Sequence, residues 1–236
     1  MIRPGLPSAI GVNNSPTAVT IAKAHPLAQG LQFCLPLTEG AGRPRELVRG
    51  EYASVVPTWT NTVWGQGIIA SSSVIGFTRS WYPLSPPMSV FALIDRPNPV
   101  GAGDSYGQVI GFRQPPAGGI LVGLRWDQYA AGKVIGYTKS TVVDVAGTTK
   151  SPTVPFAFGM ALTGTNAVGY VNATRETITN ASAYATNGDG SQWVRVGTVG
   201  GTTSFAFSVV YAWNRQLTDA EFALLRQSPY CFLVPG

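Results

Sequence analysis

Charge is what this sequence has least of. Only 11% of its 236 residues are Asp, Glu, Lys or Arg, against roughly 25% in an average soluble domain. The acids number eleven, so few positions are open to paired-carboxylate chemistry. The single histidine, His25, lies beside Pro26, a poor place for the base of a nucleophilic triad. Two cysteines, Cys34 and Cys231, stand far apart among apolar neighbours. With one histidine they cannot furnish a structural zinc site, and isolated thiols of this kind read as buried and unbonded. Long apolar runs are missing too. Residues 52–78 carry no charge, yet Pro, Thr, Asn, Gly and Ser interrupt them, so no membrane insertion is expected. Met1-Ile-Arg-Pro-Gly5 lacks the apolar stretch of a secretion signal, and the expectation is assembly in a cytoplasm.

The net charge of +5 follows from scarce acids, not from a basic tract. Arg43, Arg45 and Arg49 make one local cluster, interleaved with Pro44 and Glu46. That pattern predicts a solvated loop or a subunit contact, and no nucleic-acid binding, which needs a denser stripe. So little charge also suggests that partners cover part of the surface.

Abundant instead are glycine (28) and proline (18). With the many threonines and β-branched residues, they argue for numerous strands joined by turns. A chain of 236 residues can bury one large core. Residues 1–29 read as an extended arm with four prolines and no strong period. Its apolar Ile2, Leu6, Ile10 and Val12 are too frequent for a solvated linker and suit packing on the same domain or a neighbour. Residues 30–236 form the domain. Met88-Ser-Val-Phe-Ala-Leu-Ile94 is apolar on both faces, the mark of a central buried strand. Further strands are predicted at 31–37, 107–113, 119–126, 132–138, 154–162, 167–172 and 192–199, with a hairpin turning at Thr163-Gly-Thr-Asn166. The closing strand, Phe205-Ala-Phe-Ser-Val-Val-Tyr-Ala-Trp213, alternates so as to place Phe205, Phe207, Val209, Tyr211 and Trp213 on one face. After it, Thr218-Asp-Ala-Glu221 is a capping box, with Phe222 and Leu225 on the buried side of a short helix and Pro229 ending it. The economical architecture is an all-β, two-sheet antiparallel sandwich with one short C-terminal helix.

The order of these segments resembles the concanavalin A-like lectin/laminin-G-like jelly rolls, above all those carried by tailed bacteriophages. The resemblance rests on His25-Pro-Leu-Ala-Gln-Gly-Leu31, Leu37-Thr-Glu-Gly-Ala-Gly42, Trp64-Gly-Gln-Gly67, Met88-Ser-Val-Phe-Ala-Leu-Ile94 and Arg195-Val-Gly197. It rests also on the hairpin over 156–172, with Asn172-Ala173 where Asn-Gly is usual, and on Val209-Val-Tyr-Ala-Trp-Asn-Arg-Gln-Leu-Thr-Asp-Ala-Glu-Phe222. It covers residues 25–232 and implies a jelly-roll sandwich. That sandwich hosts lectins, hydrolases and structural modules alike, so function has to come from sites.

Hydrolases on such a sandwich set carboxylates along one strand, about 5 Å apart in retaining enzymes. Here Asp95 ends a strand alone, while Asp104, Asp127, Asp144 and Asp189 stand isolated, so no catalytic residue is expected. No cofactor is expected either; calcium would need converging oxygens, and Asn187-Gly-Asp-Gly190 and the turn at Asp104 are the loops that could supply them. Trp126, Asp127, Gln128 and Tyr129 put an aromatic platform beside polar groups, the ingredients of a carbohydrate site. The resemblance, the low charge and the arm together imply a non-enzymatic phage virion protein, a lectin-like capsid decoration on the particle surface. Its partners would be the major capsid or other virion proteins and further copies of itself, as a dimer or trimer. Ile2, Leu6, Ile10, Val12, Arg43, Arg45 and Arg49 are the expected contacts. The alternative is a tail or baseplate module that recognises host surface glycans.

Overall fold

The alternation of large and small residues across 156–162 sets the middle of the molecule. The computed structural model describes residues 18–70, 75–77, 87–97, 106–113, 120–127, 133–138, 141–144, 155–163, 166–178, 193–200 and 205–236. In chain order its strands are β1 (Val19–Ile21), β2 (Leu31–Leu35), β3 (Thr58–Thr62), β4 (Gly65–Ala70), β5 (Ile75–Phe77) and β6 (Met88–Pro97). Then come β7 (Tyr106–Arg113), β8 (Ile120–Asp127), β9 (Lys133–Thr138), β10 (Thr141–Asp144) and β11 (Phe156–Thr163). β12 (Asn166–Val171), β13 (Thr174–Ile178), β14 (Trp193–Gly200) and β15 (Phe205–Trp213) follow, and helix α1 (Asp219–Gln227) precedes β16 (Leu233–Pro235).

All pairings are antiparallel, and they form an all-β sandwich with one helix. The larger sheet runs β13-β12-β11-β6-β15-β4-β3, with β2 also on β15; the smaller runs β10-β9-β8-β7-β14-β5. β15 pairs with β6 along its length, while β4 meets Phe205–Phe207 and β2 meets the end from Val210. The predicted hairpin is present, with Thr163 opposite Asn166. Asn172 takes a left-handed φ of 55° in the next turn, a conformation that Asn tolerates without glycine.

Two apolar layers hold this together. Between the sheets, Phe33, Val90, Ile94, Phe156, Phe158, Met160 and Phe207 meet Phe77, Val194 and Val196. On the other face of the larger sheet, Cys34, Phe91, Leu93, Val209, Tyr211 and Trp213 are covered by Leu27, Leu217, Phe222, Leu225 and Phe232. β6, β11 and β15 are therefore buried on both faces, which is why β6 is apolar on both faces from Val90 to Ile94.

β15 departs from its predicted alternation. Phe207 stands opposite Ile94 and Val209 opposite Leu93, so Ser208 is an extra, bulged residue. The bulge reverses the parity: Phe207 faces the inter-sheet core, whereas Val209, Tyr211 and Trp213 face the helix side. The Ser208 hydroxyl, fully buried, is bonded to the Thr62 hydroxyl. One serine thus divides the aromatic face into two.

α1 begins as the sequence predicts. Thr218 Oγ1 accepts from the Glu221 N–H at 3.2 Å, and Glu221 Oε2 accepts from the Thr218 N–H at 2.9 Å. Arg215 locks this corner to the segment just before β2. Its Nη2 donates to Glu221 at 2.6 Å and its Nε to the Gln29 carbonyl at 2.8 Å. Burial pushes the Glu221 carboxyl up, but bonds from Arg215 and the Thr218 N–H outweigh it and hold the group below its ordinary value.

Of the predicted arm, residues 1–17 lie outside the described residues. Residues 18–29 pack on their own sandwich. β1 pairs with β16, Leu27 is fully buried, and the Leu27 carbonyl accepts from Trp213 Nε1 at 2.6 Å. His25 caps the short 3-10 turn Pro26–Ala28, accepting the Leu27 N–H at Nδ1 (3.1 Å). Its role is local.

Candidate functional site

The residues between β2 and β3 bring together most of the described polar chemistry. Glu39-Gly-Ala-Gly42 turns the chain, with Gly40 and Gly42 at φ 71° and 72°, where a side chain would be strained. Trp59 Nε1 then ties the turn down by donating to the Gly42 carbonyl at 2.9 Å. Farther on, Arg45 bridges Tyr52 through the backbone, and its guanidinium lies 5.9 Å from the Tyr52 ring centroid.

Glu46 is the centre of this segment, with no exposed surface. Its Oε1 accepts the N–H groups of Cys34 (2.9 Å) and Val48 (2.8 Å), and its Oε2 accepts that of Arg49 (2.7 Å). The carboxyl folds the turn and fastens it to β2. Burial pushes its pKa up, against those N–H bonds and the Arg49 charge. Burial also pushes up Glu39, whose Oε1 accepts the Arg45 N–H at 2.9 Å. The Cys34 thiol beneath is pushed well up, by burial and then by Glu46 and Glu39. That excludes a reactive thiolate. Cys34 and Cys231 are both free, as expected, and both flank Tyr211.

Two further carboxyls, Asp219 and Asp95, have partners of their own. Asp219 accepts from the Tyr170 hydroxyl (2.5 Å) and Arg175 Nε (3.2 Å), and Asp95 accepts from the Val63 N–H at 3.3 Å. Burial, and after it the bond to Asp219, pushes the Tyr170 phenol up to about 12. Asp219 itself is held below its ordinary value, chiefly by the Tyr170 hydrogen bond. Among the described residues no three His, Cys, Asp or Glu side chains converge as metal ligands.

A groove of about 350 Å³ opens beside this segment, between β1 and residues 45–48. Ile21, Leu31, Leu47 and Val48 give it an apolar lining, and Lys23 and Arg45 are the cations on it. Sequence reasoning missed both Glu46 and the groove. Glu46 looked like a spacer between arginines, and three-residue β1 carries no readable period.

The expected site residues are distributed as follows. Trp126 and Asp127 end β8 in the smaller sheet, Asp127 standing opposite Tyr106 on β7 and Lys133 on β9. Gln128 and Tyr129 lie outside the described residues, as do Ile2, Leu6, Ile10 and Val12, and the two loops considered for calcium. Arg43, Arg45 and Arg49 are exposed around the Glu46 turn.

Comparison with known proteins places the fold. No family profile matches the chain and no curated protein matches it in sequence. Solved structures do match. Trypanosoma rangeli sialidase in complex with sialic acid aligns at 12% identity and a TM-score of 0.57, over 86% of this chain and 33% of that one. This chain thus spans about a third of the sialidase. Domain 4 of a GH43 extracellular arabinanase from Geobacillus stearothermophilus, solved with arabinotriose, aligns at 10% identity and a TM-score of 0.59, covering 83% of this chain and 98% of that domain. The ligand-binding domain of Botulinum neurotoxin serotype D, solved with N-acetylneuraminic acid, gives 10% identity and a TM-score of 0.59, over 86% and 52% of the two chains. The chain has the β-sandwich fold of these carbohydrate-binding and sialidase-type proteins.

Proposed function

We propose that this chain is a non-enzymatic structural protein of a tailed-phage particle, a lectin-like sandwich displayed on the capsid or head surface. The observation that carries the reading is the use of the described carboxyls. Glu39 and Glu46 hold backbone N–H groups of one turn, Asp95 holds that of Val63, Glu221 starts a helix, and Asp219 binds a tyrosine and an arginine. Carboxyls engaged in this way are held in place by the fold, and Glu39 keeps one buried oxygen, Oε2, without a partner among the described residues. Since the sandwich itself holds residues 18–29, anchoring on the shell falls to residues 1–17, with the exposed Arg43, Arg45 and Arg49 as contacts to neighbouring copies or virion proteins. Assembly as a dimer or trimer in the bacterial cytoplasm follows from this reading.

Electron cryomicroscopy of intact particles tests it. Density for the sandwich is expected on the head surface, and a chain lacking residues 1–17 should vanish from the particle. Undiminished occupancy of the truncated chain would remove the anchoring role.

The likeness to sugar-bound sandwiches favours a second reading, recognition of host glycans at a tail or baseplate. Trp126, Asp127, Gln128 and Tyr129 would then supply the platform. A Trp126→Ala particle that loses glycan-dependent adsorption while keeping its shell intact would support this reading over the first.

A further inference from the structure

Strand β1 has one open edge, and its register says which groups that edge presents. The Ala22 N–H bonds the Phe232 carbonyl at 2.9 Å, the Gly236 N–H bonds the Ala18 carbonyl at 2.8 Å, and Thr20 stands opposite Val234 between them. Hydrogen-bonded positions alternate along an antiparallel ladder. Ala18, Thr20 and Ala22 therefore face β16, and the N–H and C=O groups of Val19 and Ile21 point the other way. The partner strand agrees, since the Leu233 N–H turns away from β1 to the Tyr230 carbonyl at 2.9 Å. Among the described residues no backbone group bonds the outward N–H or C=O of Val19 or Ile21. Bare edges are usually blunted or covered.

This edge borders the groove. Across from it, two N–H groups of the other wall are already bonded: Leu47 N–H to the Cys34 carbonyl, and Val48 N–H to Glu46. The groove thus has one wall with free backbone groups, an apolar lining from Ile21, Leu31, Leu47 and Val48, and two cations, Lys23 and Arg45. Neither cation has an ion-pair partner among the described residues. We propose that the groove takes an extended segment of a partner protein by strand addition to β1, apolar at alternate positions and acidic where it meets Lys23 and Arg45. Backbone bonds to Val19 and Ile21 supply affinity, and the side chains supply choice. Residues 1–17 of the chain itself fit poorly, because they contain Arg3 and no acid. The site stands whether or not the protein belongs to a particle.

The test uses the full chain and a blocked peptide of alternating Val and Glu, a counterpart with Lys for Glu, and a copy N-methylated on the edge facing β1. By amide exchange in NMR, Val19 and Ile21 are expected to exchange freely alone and at least roughly tenfold more slowly with the Glu peptide, while Thr20 and Ala22 stay protected throughout. Fluorescence anisotropy should show the N-methylated copy binding roughly five- to tenfold more weakly. Lys23→Glu with Arg45→Glu should transfer the preference to the Lys peptide. Ile21→Pro removes an N–H that the β1–β16 ladder does not use, so it should weaken binding by more than Ile21→Ala, which also loses the packing of Ile21 on the outer layer but keeps the N–H. Equal binding of the N-methylated copy, or no slowing at Val19 and Ile21, would overturn the proposal. So would protection of those amides in the free chain, which would assign the groove to residues 1–17 or to a second copy.

Discussion

Glu46 occupies a position where an amide can do only part of the work. Its two oxygens serve three backbone N–H groups, those of Cys34, Val48 and Arg49. In Glu46→Gln the remaining oxygen can accept from Cys34 and Val48, but the new NH₂ confronts the Arg49 N–H. That loss is expected to lower the unfolding free energy by about 1–3 kcal/mol at acid pH, read by urea titration. The pH dependence has a definite sign. Burial raises the folded-state pKa of Glu46, so over the window above the ordinary value the native state keeps a proton that the unfolded chain releases. The contribution is fully present below the ordinary glutamate value of about 4.3 and is lost as pH rises through the raised one. The gap between parent and variant should therefore be widest near the bottom of that window and narrow upward. Glu221 has the opposite slope. Its pKa is depressed, so its contribution is present above the ordinary value and lost as pH falls.

At the scale of elements, the helix sits on β11 because that strand is small on one face. A Cβ at Gly159 would lie 2.5 Å from Phe222 Cε1 and 2.9 Å from Cδ1. The ring has little freedom to move aside, being stacked on Tyr170 with centroids 4.0 Å apart. Gly159→Ala is expected to cost about 1–3 kcal/mol by overpacking, and Phe222→Leu should be less harmful in that background than alone. A double-mutant cycle by chemical denaturation reads the coupling; additive costs would mean that the helix shifts freely. This element was legible in the sequence, since Phe156, Phe158, Met160 and Leu162 alternate with Ala157, Gly159 and Ala161 and both faces keep their own size. β15 was only half legible. Its composition gave the strand, but parity depends on one bulged serine whose partner, Thr62, is 146 positions away. β1 and β16 were illegible because three-residue strands have no period and form only through each other. The groove was hidden for the same reason, being created by that pairing. The strand ending near Trp126 was legible to within a residue, because an aromatic beside turn residues is a local signal.

Across the whole molecule the two apolar layers share their central strands. β6 sends Val90, Ala92 and Ile94 between the sheets and Phe91 and Leu93 to the outer side; β15 divides likewise around Ser208. Neither layer can dissolve without exposing a strand that the other needs. Leu27 and Phe232 belong to this unit as well. Phe232 lies with ring centroids 5.1 Å from Tyr211 and 6.5 Å from Trp213, and Trp213 bonds the Leu27 carbonyl at 2.6 Å. Phe158→Ala in the inner layer and Phe232→Ala in the outer should each cost about 3–5 kcal/mol. Both are expected to move one transition to lower urea, with tryptophan fluorescence and far-ultraviolet circular dichroism still coincident and the m-value unchanged. Fluorescence reports both layers, since Trp213 is buried in the outer and Trp59 packs against the inner. If Phe232→Ala instead gave an early fluorescence change that dichroism did not follow, the terminal strands and helix would be a separable cover. The shared burial of β6 and β15 argues for the single transition, because a cover that left would expose Phe91, Leu93, Val209 and Tyr211 together.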